Sequence, residues 1–165
     1  MKTLPFVAIG VMLLPLSGLA QEAAPANPLS SDLRAVWEMR RNTDLRAAEK
    51  MPEADYAFKP VPEVRSFGQL VGHVADAQYM FCSIVKGAAR PDVQIEKTKT
   101  SKADLVAALK ESDAYCDAVY TDMTDAKAVE KVKFFGREFT SLTVLSINLA
   151  HDYEHYGNMV TYMRI

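Results

Sequence analysis

Histidine is scarce in this 165-residue chain, with three in all, and cysteine and tryptophan are scarcer still, at two and one. No glycine-rich stretch has the spacing that cradles a phosphate, and no G-x-S-x-G elbow occurs, which removes the usual sequence support for phosphoryl transfer and serine-ester chemistry. There is no internal repeat, and the basic residues are scattered among acids rather than gathered into a stripe, so a nucleic-acid partner is not expected. No apolar run reaches the roughly 20 residues that span a bilayer. The longest, Leu4 to Leu16, holds Pro5 and Pro15 and follows Lys2, and Ser17-Gly18-Leu19-Ala20 comes after it. That is the layout of a secretory signal peptide over residues 1–20, cut after Ala20. No cysteine lies near the cut to carry a lipid, so the expectation is an exported chain, periplasmic or secreted, with no stable membrane insertion after cleavage. Once the signal is removed, 21 acidic and 18 basic residues remain, a net charge of −3.

The Ala- and Pro-rich residues 21–28 have no hydrophobic period and read as a linker, leaving residues 29–165 as one domain. Ser30 or Ser31 is a candidate cap for a first helix, which carries Leu33, Val36, Trp37, Ala47 and Ala48 and stops at Met51-Pro52. Pro52, Pro60 and Pro62 then break up an ordered connection. Ser66 with Gln69 forms a capping box, and Phe67, Leu70, Val71, Val74, Phe81 and Val85 continue as one face to about Lys86. Residues 87–100 form a crossover without a period of their own. A third helix starts near Ser101 and places Leu105, Leu109, Ser112, Cys116, Val119 and Met123 at alternating spacings of four and three. Around Gly136, residues 129–140 fit a short hairpin or an extended loop. The last helix runs from about Thr140 to Met163 and has no charge before His151, which predicts a largely buried segment. The fold class is all-α, a four-helix bundle, an architecture that commonly builds metal sites from inward-facing side chains.

The densest chemistry lies in His151-Asp-Tyr-Glu-His155. Residues i and i+4 share a helix face, so both imidazoles can reach one ion, with His73 left as the third ligand. At 100° per residue His155 falls about 40° from His151, at the edge of the apolar arc, and His73 likewise borders the core face of its own helix. One such histidine alone is more often a hydrogen-bonded core residue; three at matching edges favour a metal. Asp152 falls inside the apolar arc and needs a partner. Arg40 is the structural candidate, and the alternative is a group that orients a ligand or acts as base. Asp76 and Glu154 lie about 60° from their histidines. Each is a candidate to orient a ligand or accept a proton, or else a solvated acid. His-Asp-Tyr-Glu-His carries Asp152 where the metallopeptidase H-E-x-x-H has its glutamate, and nothing after His155 offers a third ligand, which weighs against a peptidase.

Pro52-Glu-Ala-Asp-Tyr56, Pro62-Glu-Val-Arg-Ser-Phe67, Gly72-His73-Val-Ala-Asp76 and His151-Asp-Tyr-Glu-His155-Tyr-Gly157 together resemble the DinB-like superfamily, over essentially residues 29–165. The resemblance implies an up-down-down-up four-helix bundle holding one divalent metal ion on His73, His151 and His155. It also implies kinship with thiol transferases that use low-molecular-weight cytosolic thiols, a setting from which the signal peptide departs. Imidazole donors suit zinc or nickel first, with iron, copper or manganese as alternatives. Three of them leave a fourth position open to water, so the expected function is that of a metal-dependent hydrolase or transferase acting on a small-molecule substrate. The alternative is a non-catalytic bundle that holds the metal as a structural or sensory site. In the implied topology the second and third helices run parallel, with Cys82 and Cys116 each about fifteen residues in and some 20 Å along. Export then permits a Cys82–Cys116 bridge, against the alternative of two buried free thiols. Met80, Phe134, Phe135 and the C-terminal tyrosines and methionines exceed what one small bundle needs to bury, and a homodimer is expected from them and from the resemblance.

Overall fold

Pro28, whose missing N–H costs nothing in a first turn, opens helix α1 (Pro28–Lys50) in the computed structural model, which describes residues 26–165. The expected signal peptide and most of the expected linker lie outside the described residues. Neither Ser30 nor Ser31 caps α1. The Asp125 carboxylate reaches across the chain to accept from the backbone N–H of Ser30 at 2.8 Å, the Ser30 hydroxyl at 3.0 Å and the Leu29 N–H at 3.3 Å. A negative charge there complements the helix dipole. The helix therefore starts two residues before Ser30.

Met51 to Ser66 is ordered, with Tyr56 buried and Phe58 partly so. Tyr56 donates its hydroxyl to the Ala48 carbonyl at 2.6 Å, and a short 3-10 turn covers Glu53–Asp55. Ser66 and Gln69 form the capping box of α2 (Phe67–Lys86), which ends on Gly87 at φ 66°. The crossover then holds a single helical turn, α3 (Ile95–Thr98), that the sequence pattern did not show. Ser101 caps α4 (Lys102–Thr121) by accepting from the Asp104 N–H. A short α5 (Asp125–Ala128) leads into the antiparallel hairpin β1 (Lys131–Phe134) and β2 (Arg137–Thr140), and α6 (Ser141–Tyr162) follows directly. The hairpin turn is Phe135-Gly136, with φ of 46° and 77°. Positive φ at both positions is the type I′ pattern, which suits the strand twist.

Contact registers give the helix directions. Gly68 meets Leu105, Gln78 meets Ser112 and Cys82 meets Cys116, so α2 and α4 run parallel. Trp37 bonds Asp117, Arg40 bonds Asp113 and Glu49 pairs with Lys110, so α1 and α4 are antiparallel. His73 lies against His151 and His155 while Phe81 lies against Val144, so α2 and α6 are also antiparallel. The bundle is up-down-down-up.

Its core is apolar at one end, around Phe67, Val71, Leu105 and Leu109. Around α1, Trp37 stacks on Tyr120 with ring centroids 4.4 Å apart. Phe134 is buried against Phe81, so one of the aromatics that suggested a dimer is covered within the chain. The uncharged start of α6 is less buried than expected. Ser146 and Ala150 are exposed, and Ile147 is only partly covered, because α6 packs one face on the core. No helix among the described residues is long and apolar enough to cross a membrane.

Cys82 and Cys116 are both fully buried and joined in a disulfide, with a Cα–Cα distance of 5.5 Å and a sequence separation of 34. A loop of that length predicts about 3–4 kcal/mol of stabilisation by chain entropy. Thiol labelling of the unfolded, unreduced protein should find no reactive cysteine; two per chain would contradict the bridge.

Candidate metal centre

His73 on α2 and His151 and His155 on the antiparallel α6 turn their rings toward one point. His151 Nε2 lies 3.2 Å from His73 Nε2 and 3.2 Å from His155 Nε2. One nitrogen from each residue falls within 4.8 Å of the others. Two nitrogens about 2.1 Å from a shared ion and 3.2 Å from each other subtend about 100° there, between tetrahedral and octahedral angles. The far nitrogens support the same reading. His73 Nδ1 lies 3.0 Å from Glu96 Oε2, a carboxylate that can only accept, so the Nδ1 proton is held there and Nε2 presents a lone pair. His151 Nδ1 faces Asp152 Oδ1 at 3.5 Å, a longer and weaker contact. Lone pairs facing each other 3.2 Å apart repel unless a cation or a proton lies between them. A single proton on His151 Nε2 could bridge only one of the two contacts. Burial disfavours a charged ring: it lowers the His73 pKa, with Arg65 acting in the same sense, and it lowers His155 to about 4, helped by the neighbouring imidazoles. At neutral pH these two rings are therefore uncharged donors. The residues fit a divalent metal.

Glu96 was not legible in the sequence, and its placement depends on three other residues. A Cβ on Gly72 would come 2.8 Å from Glu96 Cα and 3.0 Å from its N, so glycine is what lets α3 lie on α2 beside His73. Asp76 accepts the backbone N–H groups of Ile95 and Glu96, each at 2.9 Å. Arg65 Nε bonds the other Glu96 oxygen at 2.8 Å. Burial alone would raise the Glu96 pKa, but Arg65 and His73 outweigh it and hold the carboxyl below its usual range. One clue was present in the sequence. A glycine inside a helix costs about 1 kcal/mol against alanine and signals a close backbone approach. Gly72→Ala should push α3 away and lower metal affinity by roughly 10–100-fold, the cost of losing a partner that orients a ligand. A chelator-competition titration measures this, and Glu96→Gln should show a loss of the same order.

The other candidate acids divide. Asp76 makes no hydrogen bond or ion pair with a histidine. It acts through α3, two contacts from the imidazole, because its carboxylate is spent on two backbone donors. Glu154 is exposed on a second cleft of about 580 Å³, which also reaches His155, and among the described residues it makes no hydrogen bond to a histidine. Asp152 is fully buried between His151 and Arg40, with Oδ2 at 3.3 Å from Arg40 Nε. Arg40, 0% exposed, also pairs with Asp44 at 2.7 Å and Asp113 at 3.3 Å, and its guanidinium carbon sits 4.2 Å over the Trp37 ring. Three carboxylates thus surround one cation. Burial pushes Asp44 and Asp113 up, each to about 7, despite the attraction of Arg40.

His73 and His151 open onto a cleft of about 780 Å³ between α2, the α3 crossover and the hairpin tip. That volume accommodates a small organic molecule. His155, 7% exposed, lines the second cleft rather than this one.

A family model described as the DinB superfamily matches residues 37–159, which include all three histidines. The uncharacterized protein YjoA of Bacillus subtilis is 25% identical over 138 residues, covering 82% of this chain and 89% of that protein. Its crystal structure superposes with a TM-score of 0.67. A DinB-like protein from Bacillus cereus ATCC 10987 is 17% identical with a TM-score of 0.73, over 81% of this chain and 90% of that one. A mycothiol-dependent maleylpyruvate isomerase is 15% identical with a TM-score of 0.65, over 79% of this chain and 60% of that one. At such identities the structural likenesses show the fold alone.

Proposed function

The chain belongs to the DinB superfamily, and on that premise we propose that it is a metal-dependent enzyme of the hydrolase or transferase kind, acting on a small molecule in the cleft beside its three histidines. The observation that carries this reading is the convergence of the His73, His151 and His155 Nε2 atoms at the inner end of an open cleft. A purely structural site is closed by protein ligands, whereas here two of the three donors border the cleft. A divalent ion in this place supplies Lewis-acid chemistry, and zinc or nickel suits the donors best. The protein's part is to hold that ion and its surroundings. Glu96 fixes the His73 ring and its tautomer, Asp152 lies behind His151, and Phe81, with its ring centroid 5.7 Å from that of His151, keeps the inner wall dry. The thiol in the isomerase's name is not assigned to this chain. Its proposed setting is outside the cytosol, with a mature chain that starts at Gln21, and the buried Cys82–Cys116 disulfide supports export because such bonds persist in oxidising compartments.

The test runs zinc-loaded protein against p-nitrophenyl acetate for hydrolysis, and against glutathione with monochlorobimane for thiol transfer. Turnover in either assay that disappears in His151→Ala supports the proposal. Stoichiometric metal with no turnover in either would leave a site that only holds metal.

A further inference from the structure

The lining of the 780 Å³ cleft is mixed in chemistry. Part of it carries Arg90 and Lys97. Arg90 lies 3.6 Å from Asp76, a carboxylate already engaged by two backbone N–H groups, so most of its five donors stay available. Lys97 is exposed and takes part in none of the ion pairs among the described residues. Of the acids nearby, Glu96 is paired with Arg65 and His73, and Asp92 accepts one hydrogen bond from the Gln94 side chain at 3.1 Å. The lining also has an apolar part, which includes Met80, Phe81 and Phe135. Phe135 is the least expected of these. It is 79% exposed and sits at φ 46° in the hairpin turn, where asparagine or glycine is the favoured residue. An aromatic ring there buries little of itself in the fold, yet it stands at the mouth of the cleft. Its neighbour Phe134 is anchored on Phe81, which in turn lies against His151, so the apolar wall runs unbroken from the hairpin tip to the triad.

We propose that the cleft takes a small organic acid with an aromatic or acyl body. The carboxylate is bound by Arg90 and Lys97, and the apolar body lies on Met80, Phe81 and Phe135, so that the chain between them passes in front of His73 and His151. The guanidinium fork suits a carboxylate, and the apolar wall is what a purely polar anion would leave unused. This rests on the reading that the triad faces its substrate through this cleft, and it names the class of that substrate.

The test measures binding of three probes to the full mature chain by ligand-observed NMR, before and after zinc is added: 4-phenylbutyrate, its neutral counterpart 4-phenylbutan-1-ol, and acetate. The acid should bind more tightly than the alcohol. Arg90→Gln with Lys97→Gln should weaken the acid by about tenfold or more while leaving the alcohol unchanged. Phe135→Ala, at an exposed position, should weaken both aromatic probes by about three- to tenfold and leave acetate unaffected. An acid that binds no better than the alcohol, or that is insensitive to the paired Gln variant, overturns the proposal. Zinc stoichiometry read on the same samples separates the two claims. Metal without acid preference contradicts only this proposal, and acid preference without metal contradicts only the metal reading.

Discussion

Alanine at His151 is expected to weaken metal binding by well over the roughly 10–100-fold that losing an orienting partner costs. Its Nε2 is the atom 3.2 Å from both other ligands, and without it the remaining pair loses the nitrogen between them. His73→Ala and His155→Ala should also lose most of their affinity, and all three variants should keep their helical circular dichroism. Asp152→Asn distinguishes the two roles open to that residue. Arg40 keeps Asp44 and Asp113 when the Asp152 charge is removed, so the stability loss should be small. The His151 ring meanwhile loses its charged neighbour, so metal affinity should fall within the orienting range. A variant that is strongly destabilised but binds metal as before would make Asp152 a partner of Arg40 alone.

Arg40→Met should destabilise the protein by about 3–5 kcal/mol, the usual cost of leaving buried charge without its partner. Asp44, Asp113 and Asp152 would then share a buried site with no cation, and the stacking over Trp37 would be lost. Urea denaturation at pH 7 measures this. The cluster also sets a pH dependence. Asp44 and Asp113 are raised above the value of about 4 that carboxyls hold in an unfolded chain, so the folded state retains protons that the unfolded state has released. The stabilisation from that retention is complete below the unfolded value and is lost as pH rises through about 7. The cluster's contribution should therefore fall between about pH 4 and pH 7, and the deficit of Arg40→Met should narrow at the acid end, where the carboxyls are protonated.

What could be read from the residues follows from how local the signals are. The four long helices are written in apolar spacing and in caps such as Ser66-Gln69 and Ser101, all within a few residues of one another. The residues around Gly136 allow a hairpin or an extended loop, and the pairing of β1 with β2 decides for the hairpin. The i, i+4 pair at His151 and His155 is equally local, and His73 follows because no other histidine is left. The features that escaped depend on distant parts of the chain. Asp125 stands in for a cap on α1 from 95 residues away, and Asp113 joins Arg40 across 73. Glu96 lies in a crossover with no period, and it is brought to His73 by a missing Cβ on one helix and a carboxylate one turn further on. Asp76 was read from its angle to His73 alone, and the backbone donors of α3 that claim it do not show in a helical wheel.

The most direct measurement is the metal content of the protein purified at neutral pH without added metal, followed by retitration after chelation. The account predicts one divalent ion per chain, recovered on retitration and lost in the variant with alanine at His73, His151 and His155. No stoichiometric metal in either state, or a triple variant that binds as well as the parent, would contradict it.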